Sequence, residues 1–140
     1  PTGGGQLGMA VAISATHLLV GAKLEDAGAT DSGAAYLFDL FNNLGPTPIP
    51  NPAPVNFSYF GASVALSGNR VLIGSAPPGN NLPGVAYLFN RDTGGLIVTL
   101  NNPTPTNNEE FGFAVALTGD AAVVSSPYDW DGVSSGVGAV

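Results

Sequence analysis

The stretch Phe60-Gly61-Ala62-Ser63-Val64-Ala65-Leu66 returns fifty-one residues later as Phe111-Gly112-Phe113-Ala114-Val115-Ala116-Leu117, and an earlier copy reads Leu7-Gly8-Met9-Ala10-Val11-Ala12-Ile13. A fixed period of this size signals a stacked or radial architecture built from one supersecondary unit. Working outward, each copy is followed by a turn and a second apolar strand: Leu18-Leu19-Val20-Gly21, Val71-Leu72-Ile73-Gly74 and Ala122-Val123-Val124-Ser125. A loop and a third strand follow, Gly33-Ala34-Ala35-Tyr36-Leu37-Phe38 and Gly84-Val85-Ala86-Tyr87-Leu88-Phe89, of which the last copy has only the beginning at Gly136 to Val140.

The fourth segment is clearest after the turn Asp92-Thr93-Gly94-Gly95, where Leu96-Ile97-Val98-Thr99-Leu100 reads as an outer strand. The matching segment of the first unit, Pro46-Thr47-Pro48-Ile49-Pro50, has too many prolines to donate a regular ladder and is expected to be an edge or an irregular strip. Both end alike, in Asn51-Pro52-Ala53-Pro54 and Asn102-Pro103-Thr104-Pro105. The chain thus divides into repeats at 1–59, 60–110 and an incomplete 111–140. Four short strands joined by tight turns make an antiparallel meander that cannot bury both of its faces alone. Periodicity leaves three all-β solutions open: the blades of a β-propeller, a sandwich and a solenoid.

These residues resemble the FG-GAP repeat family, the blade type of the integrin α head and of many bacterial exported proteins. The Phe-Gly start, the Ser-Val-Ala strand, the Gly-Asn or Gly-Asp turn, the apolar second strand and the Gly-Ala-Tyr-Leu-Phe third strand carry the resemblance over nearly the whole chain. Leu7 in place of the first Phe, Lys23 where Pro is usual, and Ser125-Ser126-Pro127 in place of Gly-Ala-Pro are departures that a strand tolerates. The resemblance implies an all-β fold of four-stranded meander blades of a β-propeller, about three of them with the last incomplete. The Gly after Phe is expected to admit a neighbouring backbone while the aromatic fills the space between blades. At a 51-residue period 140 residues make about 2.7 units, fewer than the four to eight blades or so of a closed propeller, so the chain is expected not to close by itself.

Charge narrows the functional classes. Lys23, Arg70 and Arg91 stand against ten acidic residues for a net charge of −7, which disfavours nucleic acid and anionic lipid as partners. Without cysteine there is neither a disulfide framework nor a thiolate metal site. No apolar run approaches the roughly 20 residues of a membrane helix, so membrane insertion is not expected. An acidic, Lys-poor chain rich in Asn, Thr and Pro suits an extracellular or cell-surface location.

The resemblance places calcium in the loop between the second and third strands. Asp129 and Asp131, alternating before Gly132, are the leading candidate ligands, and Glu25, Asp26 and Asp31 are weaker ones. The full Asp-x-Asp-x-Asp-Gly pattern occurs nowhere, whereas calcium takes about six to eight oxygens. Catalytic and cofactor-binding residues are not expected. His17 is the one histidine and sits at a turn, no Gly-x-Ser-x-Gly elbow occurs, and Glu109 and Glu110 are adjacent in a segment read as extended, where neighbours point apart. The expected role is a non-enzymatic structural or adhesive module whose partners are other copies of the chain or additional blades. The alternative is a calcium-assisted binding module for a protein or glycan ligand.

Overall fold

The computed structural model describes residues 4–42, 45–79 and 81–129. Ten strands and no helix occur among them. β1 (Leu7–Ile13), β2 (His17–Ala22), β3 (Ala34–Asp39) and β4 (Thr47–Ile49) form one antiparallel meander in chain order. β5 (Phe60–Ser67), β6 (Arg70–Ser75), β7 (Val85–Asn90) and β8 (Leu96–Asn101) form a second of the same order. β9 (Val115–Leu117) and β10 (Ala122–Val124) pair as the start of a third.

Register repeats with the sequence. Val11 lies opposite Val20 as Val64 lies opposite Ile73, and a bulge interrupts the first strand at the same place, between Leu7 and Ala10 and between Phe60 and Ser63. Both positions hold the glycine that follows the aromatic or its substitute. The first strands β1, β5 and β9 pack against one another across the sheets. They are therefore the inner strands, and β4 and β8 are the outer edges.

Two apolar layers separate the sheets. Leu19, Ala35, Leu37 and Ile49 of the first sheet meet Phe60, Val71, Ile73, Tyr87 and Phe89 of the second. The other face of the second sheet, Ala65, Leu72, Ala86 and Leu88, meets Phe111 and Val124. Phe60 is fully buried, with its ring 5.7 Å from Tyr87 and 6.1 Å from Phe89 in an edge-on arrangement. Phe111 is buried at the equivalent position, as the repeat register requires.

The sheets are keyed by backbone as well. A Cβ at Gly21 would stand less than 3.0 Å from the carbonyl of Gly61, and one at Gly74 would meet the carbonyl of Gly112 in the same way. Phe60 N–H donates to the Ser32 carbonyl at 3.0 Å and Phe111 N–H to that of Pro83 at 3.2 Å, beside the parallel bridges Gly33–Phe60 and Gly84–Phe111.

The hairpins are closed in two ways. Gly68, at φ 56, makes the two-residue turn between Ser67 and Arg70. Neither residue of the Gly119-Asp120 turn has positive φ. There Thr118 N–H donates to the Ala121 carbonyl at 2.8 Å and Thr118 Oγ accepts from Ala121 N–H. Ser14 plays the same part in the first unit, donating N–H to His17 and accepting from Thr16 and His17 with its hydroxyl.

Truncating Phe60 to Ala is expected to cost about 3 to 5 kcal/mol, the range for a large buried aromatic. Gly74→Ala should destabilise by clearly more than Gly68→Ala, because only Gly74 faces a backbone atom while Gly68 faces open space and loses about 1 to 2 kcal/mol for its left-handed φ. Urea unfolding of the three variants checks both, and equal losses at the two glycines would remove the keyed contact.

Candidate functional site

Inner strands that converge place equivalent residues of successive units around one point. Gln6, Tyr59 and Glu110 each precede a first strand, and all three hold left-handed backbone, at φ 51, 53 and 55. Each carbonyl accepts the N–H three residues on, from Met9, Ala62 and Phe113 at 3.3, 3.0 and 2.9 Å. Six side chains are thereby gathered at one end of the inner strands. With Lys23 and Leu24 from beyond β2, they line a cavity of about 430 Å³.

Glu109 and Glu110 take different directions, as expected, but not because the segment is extended: Asn108 and Glu110 are both left-handed. Glu110 faces the cavity, and burial raises its pKa above the ordinary glutamate value. Glu109 turns inward and is buried. Its carboxylate accepts from Asn102 Nδ2 at 2.7 Å, from Thr106 N–H at 2.7 Å and from the Thr106 hydroxyl. Asn102 Oδ1 in turn accepts from Thr104 N–H at 3.0 Å. The first linker repeats the device with Asn51, which donates to Ser58 Oγ and the Ser32 carbonyl and accepts from Ala53 N–H. The shared Asn-Pro-x-Pro ending thus staples each outer strand to the start of the next unit. The signal for this was in the sequence, as the same ending at the same offset, but the partner seven residues on changes from Ser58 to Glu109 and hides it.

The candidate calcium ligands fall apart into separate duties. Glu25 is buried beneath the first loop. Asp26 accepts the N–H of Asp31 at 2.8 Å and so closes that loop upon itself. Asp129 has one oxygen, Oδ1, that is buried and accepts no hydrogen bond among the described residues. Asp131, with Trp130 and Gly132, lies outside the described residues. Among the described residues no three acidic or histidine side chains converge on one point.

His17 opens β2 with Nδ1 at 2.7 Å from Thr16 Oγ, at the opposite end of the strands from Lys23. Nearby, Asp39 is held below the usual carboxylate range, chiefly by the N–H of Phe41 and then by the side chain and N–H of Asn42. The contacts of Asp39 complete a turn.

The model of the FG-GAP repeat matches residues 2–38 and 105–140, which together are more than half of the chain. The chain belongs to the FG-GAP repeat family. Between the two matched segments lies the whole second sheet, and its strand order and register repeat those of the first FG-GAP unit. No curated protein matches the chain.

Glu110 supplies a pH test of this geometry. Because its pKa is raised on folding, the folded chain holds the proton more tightly than the unfolded chain. Stability therefore rises as pH falls through the range above the ordinary glutamate value, and the gain is complete below that value. The difference in unfolding free energy between the natural chain and Glu110→Gln should grow in favour of the natural chain on acidification, by denaturant titration across that range. A flat difference would mean that Glu110 is solvated.

Proposed function

We propose that this chain is a non-enzymatic, extracellular structural or adhesive β-propeller module that assembles with further blades, of the same or other chains, through the free face of its first sheet. One observation carries the reading. Val64 and Leu66 of β5 pack on the first sheet, whereas their counterparts Val11 and Ile13 are 62% and 72% exposed. Leu7 is 47% exposed where Phe60 is 0%. The face is thus built to the pattern of a buried one, and exposed apolar patches of this kind mark interaction sites. The surface it fits is the face that the first sheet itself offers to β5, an FG-GAP face of Leu, Ala and Ile. Low charge and a chain rich in Pro, Asn and Thr support an exported protein.

Sedimentation velocity of the chain across a concentration series should show self-association, and Val11→Asp with Ile13→Asp should abolish it without loss of the β-sheet circular dichroism signal. A natural chain that stays monomeric at high concentration sinks assembly between copies.

The buried Oδ1 of Asp129, which accepts no hydrogen bond among the described residues, favours a second reading, calcium-assisted binding. Asp129, with Asp131 and backbone carbonyls, would hold the ion, whose charge would organise the loop for a protein or glycan ligand. The loop of Asp26 and Asp31 fits less well, since Asp26 is already spent on a backbone N–H. Calcium should raise the melting temperature of the natural chain and not of Asp129→Asn, because a ligand bound only to the folded state stabilises it by mass action. An unchanged melting temperature in calcium and in chelator removes the site.

A further inference from the structure

The cavity at the end of the inner strands has a feature that packing does not explain. The three units act as internal controls for one another: Gly8, Gly61 and Gly112 are identical, as are Val11, Val64 and Val115, and Ala12, Ala65 and Ala116. The cavity positions diverge at every step instead. Gln6, Tyr59 and Glu110 are a neutral amide, a phenol and an acid, and Met9, Ala62 and Phe113 are long, small and aromatic. Ordinary surface drift would favour polar residues, yet Met9 and Phe113 are each more than half exposed into this space. The cavity also holds one cation and one acid on different units, Lys23 and Glu110, and among the described residues neither is in an ion pair.

We propose that this cavity binds a small amphipathic zwitterion, with a carboxylate directed to Lys23, an ammonium to Glu110, and an apolar body between Met9 and Phe113. About 430 Å³ lies in the range of small-molecule sites, roughly 300 to 1,000 Å³, so a free amino acid with a large apolar side chain is the size class that fits. Burial that raises the pKa of Glu110 also strengthens any charge placed beside it, since a drier site screens less. The phenol of Tyr59 and the amide of Gln6 add neutral hydrogen-bonding groups between the two charges. The site uses other side chains than the assembly face of Leu7, Val11 and Ile13, so each can fail without the other.

The probes are L-phenylalanine, N-acetyl-L-phenylalanine, which lacks the ammonium, and phenethylamine, which lacks the carboxylate. Amide chemical shifts of the full chain are followed by NMR at neutral pH. L-Phenylalanine should perturb residues 6, 9, 23, 59, 110 and 113, and each single-charge analogue should bind about tenfold more weakly, the effect of losing one charge-assisted hydrogen bond. Lys23→Gln should bring L-phenylalanine down to the affinity of phenethylamine, Lys23→Arg should keep the preference, and Glu110→Gln should bring it down to the affinity of the N-acetyl analogue. The amide spectrum of each variant reports that the fold is kept. Equal affinity of the natural chain for all three probes, shifts confined to other residues, or no shift at millimolar L-phenylalanine overturns the proposal.

Discussion

Carbonyl against bare Cα is the contact on which the rest of this architecture depends. Gly61 lays its carbonyl over Gly21, and Gly112 lays its own over Gly74, at separations that leave no room for a side chain on either. Apolar faces alone would hold two meanders together without fixing their stagger, because burial is nondirectional. The glycine contacts, with the Phe60 and Phe111 N–H bonds across the gap, select one stagger. The left-handed φ of 88 at Gly61 then bends β5 at its bulge and sends Phe60 inward between the rings of Tyr87 and Phe89. Apolar burial supplies the driving force, and the glycines decide where it is gained.

Most of this was legible because glycine is hard to replace at these contacts. It recurs at 8, 61 and 112, and at 21 and 74 where a backbone comes close, and with the apolar steps around it gives the period, the strand order and the equivalent positions of Phe60 and Phe111. The proline-rich strip around Ile49 was likewise legible as an edge or an irregular strip, since proline lacks the donor that a regular ladder needs, and it forms a three-residue edge strand. The hairpin ends were only half legible, because a hydroxyl at Ser14 or Thr118 and a left-handed Gly68 close the same turn by different chemistry. The cavity was not legible at all. Its residues are recognisable only by having no repeat, and the left-handed turns at Gln6, Tyr59 and Glu110 that gather them carry no glycine to announce them.

Charge follows burial along the chain. Between Asp39 and Arg91 the one charged residue is Arg70, so nearly the whole second sheet is neutral. That sheet has apolar neighbours on both faces, and a charge on either would have to be desolvated at a cost of several kcal/mol or so. The acidic residues gather before and after it, at loops and at the unit boundary around Glu109 and Glu110. Most acidic side chains among the described residues thus stay out of the layers that must close, and the two buried ones, Glu25 and Glu109, lie in loops and not in those layers.

A neutral middle sheet gives up the commonest protection of an outer edge, a charged side chain on the last strand. The two outer strands solve this differently. β4 is short and flanked by prolines, so it offers few free N–H groups to a stranger. β8 has six residues, no proline and no charge, and Leu96, Ile97 and Val98 are all exposed. Its register breaks between Leu88 and Phe89, where Ile97 has no partner on β7, and such a bulge twists the edge out of the flat geometry that strand addition requires. Past the bulge, Leu100 packs back onto the layer of Leu72 and Phe111, and Asn102 ties the strand's end to Glu109. The outer edge of the second sheet is therefore guarded by shape and by anchorage at its end, where the outer edge of the first is guarded by shortness and proline.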